Sequence, residues 1–536
     1  MKKLWQALML VRRCDRGSFY RRLFYVLLQS VLPLVNLYIL KLLVDSVEAG
    51  VRGGGDVQLV TWYLLLMVAI FLLNRIVSAL NNVNNDVLSQ RLIDYLSDIM
   101  QRQAARLDMA YYDNPDYHDS LHRAQQEASY RPIQVMNNFM ALFGAVISIA
   151  GVIAMLLTAS WWIIVVMVVA VLPGFAVRMY KARRIYRFRR DNTQLYRQTA
   201  YYSALLSARD YAKEMRAFNL TAFFRQRFVD SRRRLVRQLL RISRRMGVLD
   251  VMCAIVEAAA MFAVVWLLVR QAFGAAITIG TFVMLFEAFR RGQGYMTSLV
   301  SSVAALYDNR LFVGNLFDFL DFEPQIVSSA NPVPVPEKID TVEFHDITFR
   351  YPDMDRDVLS HYNLTARVGE VTKIEGENGY GKSTLVKLLL RLYDPQQGCV
   401  LVNGIDIRRF NLEDLRCRVA VLFQDFVRYN LTAAENIGFD STEGVEQAAS
   451  MATADNFLSR LPQGYGNMLG RIFDGGAELS MGQWQRVAIA RMLHTGAPVL
   501  VLDEPLAWMD MPTRERFLKT VESIKKDKII IMITHA

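Results

Sequence analysis

Cysteine is scarce. The chain has four in 536 residues, Cys14, Cys253, Cys399 and Cys417, too far apart for any metal-ligand spacing. That excludes a disulfide scaffold or a zinc module, and the four read as reduced and incidental. Charge is also thin: 21% of residues are charged against 53% hydrophobic, an unusual balance for a soluble protein. No cleavable secretory signal is evident, because the first apolar segment is too long and lacks a small-residue end. Acid is in the minority, with 51 Asp and Glu against 62 Lys and Arg and a net charge of +11. The basic excess sits in the first half beside apolar runs. It therefore points to membrane topology and away from nucleic acid.

Long apolar runs are abundant. A hydrocarbon core needs roughly 20 apolar residues as helix. Six stretches meet that, near Leu23–Val44, Val57–Leu80, Ile133–Leu157, Trp161–Met179, Gly247–Val269 and Ile279–Leu306. Lys2, Lys3, Arg12, Arg13, Arg16, Arg21 and Arg22 precede the first, which places the N-terminus in the cytoplasm. Segments after odd spans are short and poorly charged. Those after even spans are long and basic, as at Arg183-Arg184, Arg232-Arg233-Arg234 and Arg244-Arg245. The pattern predicts a multi-pass membrane protein with both termini in the cytoplasm.

The two long cytoplasmic segments, about 81–131 and 181–246, read as helical extensions of the spans. Turn chemistry at Asp113-Asn114-Pro115-Asp116 marks one reversal, and the stretch from Ser207 to Glu214 marks a second. Ionisable groups inside a span are costly and usually line a cavity or pair with each other. Glu257 in the fifth span and Glu287, Arg290 and Arg291 in the sixth are candidate cavity residues. Their depths predict a Glu257–Arg290 or Glu257–Arg291 approach.

Composition changes at residues 323–340, where Pro324, Pro332, Pro334 and Pro336 break helix. The expected organisation is a transmembrane domain over 1–322, a linker over 323–340, and a nucleotide-binding domain over 341–536. Alternation from Val342 to Phe349 reads as a strand. The stretch Gly376-Glu377-Asn378-Gly379-Tyr380-Gly381-Lys382-Ser383-Thr384 is a G-x-x-x-x-G-K-S phosphate-cradling loop. Its backbone N–H groups can close on a phosphate chain, Lys382 can reach the β/γ oxygens, and the Ser383 hydroxyl can ligate Mg²⁺. A second half-site follows at Val499-Leu500-Val501-Leu502-Asp503-Glu504, an apolar strand ending in two carboxylates. Asp503 suits a Mg²⁺ shell and Glu504 the polarisation of an attacking water.

With Leu479-Ser480-Met481-Gly482-Gln483 between these half-sites, residues 342 to the end resemble the ATP-binding cassette (ABC) family. The resemblance implies that Tyr351 stacks on adenine and that Gln424 senses Mg²⁺. It also implies that Ser480, Gly482 and Gln483 meet the nucleotide of a second copy, and that Asp510 and His535 complete the site. Met481 stands where the family usually has glycine. The chain stops one residue after His535, so the last domain reads as truncated there. The fold class implied is an α-helical membrane domain of six transmembrane helices followed by an α/β P-loop ATPase domain.

The function implied is ATP-driven export by a homodimer, with ATP and Mg²⁺ as cofactors, Lys382, Gln424, Glu504 and His535 catalytic, and the lipid bilayer as surroundings. The cassette sequences around Gln424 and Ser480 are similar to those of exporters of modified or antimicrobial peptides, which makes a peptide the expected cargo. A lipid flippase or multidrug exporter on the same scaffold is the alternative. A non-transporting regulatory membrane ATPase is disfavoured by the intact Glu504 and His535.

Overall fold

The structure, a computed structural model, describes residues 2–52, 56–113, 131–158, 161–274, 276–352, 354–376 and 381–534. It divides into two compact units. One comprises Met1–Ala105 with Ser120–Asp321, the other Arg106–Asp119 with Phe322–Ala536.

The first unit is helical. Its elements are α1 (Lys2–Cys14), α2 (Arg16–Val51) and α3 (Val57–Arg106). After α4 (Met109–Asp113), which belongs to the second unit, come α5 (Arg131–Leu157), α6 (Trp161–Asp191), α7 (Thr193–Ser207), α8 (Ala212–Ala217), α9 (Thr221–Phe273) and α10 (Ile279–Leu320). Asp15 caps α2 by accepting from Ser18 N at 2.9 Å, and Thr278 caps α10 by accepting from Thr281 N at 3.1 Å. Helix α10 packs on α2, α5 and α6 around Leu37, Val152, Leu156, Met167, Leu285 and Phe289, all nearly fully buried. Outward faces carry exposed apolar residues such as Trp62, Leu65, Phe71 and Ile76 on α3. In water such a surface would be a liability, but in lipid it is the solvated one.

Five helices among the described residues are long and apolar enough to cross a membrane: Arg16–Val51, Val57–Arg106, Arg131–Leu157, Trp161–Ile185 and Thr221–Phe273. The expected sixth span lies in α10, 42 residues long, which falls short by the same measure. Glu287, Arg290 and Arg291 lie in its first half, and these charges weaken its apolar signal. Helix α3 runs unbroken for 50 residues, so the extension past the second span is one continuous rod. The second reversal is a helix break. After Ser207, Ala208 turns extended, a single 3₁₀ turn covers Arg209–Tyr211, and α8 leads into α9. Asn114, Pro115 and Asp116 of the first reversal lie outside the described residues.

The second unit holds two sheets. An antiparallel one has the order β2-β1-β4-β5, built from β1 (Thr341–Phe349), β2 (Leu359–Arg367), β4 (Gln397–Val402) and β5 (Ile405–Asp406). A parallel one has the order β3-β8-β7-β6, built from β3 (Val371–Glu375), β6 (Val419–Leu422), β7 (Val499–Asp503) and β8 (Ile529–Thr534). All five residues of β7 are buried, as its unbroken apolar run requires of a central parallel strand. The helices used below are α11 (Lys382–Leu389), α12 (Ala433–Gly438), α13 (Met481–His494) and α14 (Met511–Ile524).

Residues 106–113 join this unit through specific bonds. Asp108 Oδ2 accepts from the backbone N–H of Ile326 at 3.2 Å, and Tyr111 donates to Glu323 O at 2.9 Å. Tyr393 donates to Asp113 Oδ2. A segment expected within the membrane domain is thus part of the same compact unit as the cassette fold.

Candidate functional site

The strands of the parallel sheet all point one way, so their C-terminal ends share one edge. In open α/β sheets that edge is where ligands bind. Residues from three strands gather there. After β3, Gly376 opens the phosphate-cradling stretch. Gly381, at φ 78°, then starts α11 as a left-handed N-cap. A Cβ at Gly381 would come within 2.8 Å of Leu359 and 3.1 Å of Val358 O, so glycine is required by both torsion and space. Lys382 is buried, and its ammonium donates to Gly376 O and, at 3.5 Å, to Thr534 O at the end of β8. Glu377, Asn378, Gly379, Tyr380 and His535 lie outside the described residues.

The Ser383 hydroxyl donates to Asp503 Oδ2 at 3.1 Å. Burial pushes the Asp503 carboxyl above the usual range, with the Ser383 bond opposing and the charge of Glu504 adding to the rise. A hydroxyl and a buried carboxylate side by side are hard oxygen donors, the set that suits Mg²⁺. Glu504 follows at φ 49°, with its backbone N–H bonded to Ile533 O. A left-handed torsion on a non-glycine residue is uncommon. A cavity of about 260 Å³ opens beside Glu504, Leu506, Arg514 and Thr534. Gln424 is exposed just past β6, the strand next to β7.

Tyr351 stands at the entrance to α11. Its hydroxyl is 3.0 Å from Thr384 Oγ1, and its ring meets those of Phe349 (4.9 Å) and Tyr393 (5.3 Å) edge-on. The Lys387 ammonium lies 5.0 Å from the Tyr351 ring centre.

The segment from Ser480 to Gln483 forms the start of α13 as a reciprocal cap. Gln483 N donates to Ser480 Oγ at 3.3 Å, and Ser480 N to Gln483 Oε1 at 2.8 Å. Met481, at the first helical position, turns its side chain outward at 39% exposure. A Cβ on Gly482 would stand 2.3 Å from Trp508 O, so Gly482 lets the 504–510 loop pass close by. Asp510 caps α14 by accepting from Thr513 N at 3.1 Å, and that bonding holds its carboxyl below the usual range.

Three contributors were not singled out in the sequence. Gln485 is buried and bridges two loops, donating to Glu504 O at 3.1 Å and accepting from Trp508 N at 3.3 Å. Arg491 lies over the rings of Tyr429 (4.6 Å) and Phe439 (5.7 Å) and donates to Asn436 O, Asn436 Oδ1 and Val427 O. It thereby ties α12 and the stretch after Gln424 to α13. Tyr393 is the third. A buried glutamine or arginine on a helix announces nothing by spacing, because its partners come from other elements.

In the membrane unit Glu257 stands apart from the other three candidate charges. Arg290 bonds Glu287 at 2.9 and 3.1 Å, and Arg291 lies 3.6 Å from the same carboxylate while donating to Pro33 O at 3.4 Å. Glu257 stands against Gly174 on α6 and is not paired with either arginine. The expected Glu257–Arg290 or Glu257–Arg291 approach is therefore replaced. A partner three or four residues along one helix needs no helix-to-helix alignment to be met.

Comparison with known proteins adds two family matches. Residues 359–507 match the family described as ABC transporter, and residues 22–292 match the ABC transporter transmembrane region. The chain is 27% identical to the subtilin transport ATP-binding protein SpaT of Bacillus subtilis, over 100% of this chain and 88% of that protein. It is 25% identical to the nisin transport ATP-binding protein NisT of Lactococcus lactis subsp. lactis, over 95% and 85%. Its fold resembles that of a bacterial Atm1-family ABC exporter with ATP bound, with a TM-score of 0.80, 21% identity, and coverage of 98% and 91%.

Proposed function

This chain belongs to the ABC transporter family, and we propose that it is a half-transporter whose cargo is a peptide. It is a multi-pass membrane protein that binds ATP and couples ATP hydrolysis to export. The observation that carries the mechanism is the gathering of Lys382, Ser383, Asp503 and Glu504 at one edge of the parallel sheet, with Ser383 and Asp503 joined at 3.1 Å.

The roles assigned follow the chemistry of each group. Lys382 and the backbone N–H groups of residues 376–384 hold the phosphates, and the Tyr351 ring supports the adenine. Ser383 and Asp503, with Gln424, hold Mg²⁺, which when bound neutralises charge on the phosphate oxygens. Glu504 orients and polarises the water, assisted by His535. Ser480, Gly482, Gln483 and Asp510 serve the nucleotide of a second copy. That proposal makes the working unit a homodimer, each copy supplying one cassette. ATP closes the two cassettes, and hydrolysis separates them. Glu257, Glu287, Arg290 and Arg291 line the cargo path. The basic flanks of the spans support a bacterial cytoplasmic membrane location with both termini inside.

A peptide cargo is supported by relatives named for subtilin and nisin transport. Purified chain in liposomes, given Mg-ATP and candidate peptides, lipids or drugs in turn, tests it. Stimulation of hydrolysis and ATP-dependent accumulation by peptides alone is the expected result. Stimulation by lipid or drug alone would move the chain to a flippase or multidrug reading.

A further inference from the structure

Where α6 and α9 leave the membrane they enclose an open cavity of about 660 Å³ that the transport reading leaves unused. Its walls are two helix stripes. Arg184, Arg187 and Asp191 fall at i, i+3 and i+7 on α6, and Gln238, Arg241 and Arg245 at the same spacing on α9. Four guanidinium groups thus face one carboxylate, Asp191, which sits 3.5 Å from Arg190. Among the described residues none of the four has an ion pair or hydrogen bond. Phe188 and Met246, both buried, make an apolar floor. One turn toward the membrane, Lys181 and Asp250 join the two helices at 3.8 Å.

The placement is specific. The apolar run of the fourth span fades near Met179 and that of the fifth starts near Gly247, so Arg184 and Arg245 lie within about a turn or two of the hydrocarbon boundary, with Arg187 and Arg241 about one turn further out. Four like charges held together against a single carboxylate raise the energy of the empty site, and an anion relieves it. The anion must offer several oxygens to guanidinium forks, which is phosphate chemistry. It must also approach at headgroup depth with an apolar portion able to meet Phe188 and Met246. Basic pockets between spanning helices on the cytoplasmic side are suited to anionic lipid headgroups.

We propose that the cleft between Arg184 and Arg187 on one helix and Arg241 and Arg245 on the other binds the phosphate headgroup of an anionic phospholipid of the inner leaflet. The bound headgroup clamps α6 to α9. This site is independent of which cargo is exported.

The test uses the full chain, purified and stripped of lipid, then titrated with phosphatidylglycerol or phosphatidylcholine and read by native mass spectrometry. The wild-type chain should retain phosphatidylglycerol in preference. The double variant R241Q/R245Q should lower that retention about tenfold or more, and R241K/R245K should restore part of it. R184Q/R187Q, on the other helix, repeats the test should the first variant misfold, and ATPase activity in phosphatidylcholine liposomes reports folding. Equal phosphatidylglycerol retention by wild type and both glutamine variants would overturn the proposal. Inorganic pyrophosphate supplies the second arm. Arginine-dependent pyrophosphate binding that phosphatidylglycerol fails to displace would mean a soluble anion and would overturn the lipid assignment. Displacement by the lipid supports it.

Discussion

Ser383 donates its hydroxyl to Oδ2 of Asp503 at 3.1 Å across a separation of 120 residues. One residue begins a helix and the other ends a strand. Only the parallel pairing of β3, β8 and β7 brings them together. The bond holds a buried carboxylate whose proton affinity is raised by that burial.

This carboxylate gives the first prediction. In the fold Asp503 takes up a proton at higher pH than an unfolded Asp. The native state therefore holds the extra proton, and this group's contribution to stability falls as pH rises from the ordinary Asp range through the raised value. Asp503→Asn removes that slope and raises the stability of the nucleotide-free, Mg²⁺-free chain near neutral pH, where the buried carboxylate is charged. Thermal midpoints across pH check it, and an unchanged slope would reject it. Hydrolysis by the same variant should be lost.

Glu504→Gln keeps the size of the side chain and removes the base. Phosphate release should fall by ~10²-fold or more while ATP still binds. Size-exclusion chromatography in Mg-ATP should then show a persistent dimer of the variant. Normal turnover would refute the role given to Glu504.

Gly482→Ala puts a carbon 2.3 Å from Trp508 O, which is backbone and cannot simply rotate away. Either the start of α13 or the 504–510 loop must shift. Misplacement of about 1 Å can cost roughly 10²-fold in rate. The expected result is a large fall in kcat together with a lowered thermal midpoint, since overpacking typically costs about 1–3 kcal/mol.

Arg491→Ala removes three hydrogen bonds and two ring contacts at once. A loss of roughly 2–4 kcal/mol is expected. Arg491→Lys should recover little, because an ammonium cannot reproduce the planar fork. Differential scanning fluorimetry of the two variants distinguishes this from a simple charge effect.

Tyr393 and Asp113 should be coupled. Tyr393→Phe and Asp113→Asn, alone and together, should give an interaction energy of ~1–2 kcal/mol in a double-mutant cycle. Burial, then the Asp113 bond and charge, push the Tyr393 hydroxyl well above its usual range. The contact should therefore survive mildly alkaline pH, and additive single effects would reject it.

Much of this was legible in the residues. The parallel sheet follows from buried apolar runs such as Val499–Asp503, which cannot alternate and must be covered on both faces. The phosphate-cradling loop, the paired carboxylates of 503 and 504, and most of the spans are local patterns, so spacing alone exposes them. The span in α10 is the exception, because Glu287, Arg290 and Arg291 dilute the apolar run that would mark it. Tertiary structure decided what depends on two distant elements. It put Arg290 and Arg291 on Glu287 instead of Glu257, placed Asp113 beside Tyr393, and faced Arg184 and Arg187 with Arg241 and Arg245. A helix period says which residues share a face, but the neighbour of that face is set by how whole helices pack.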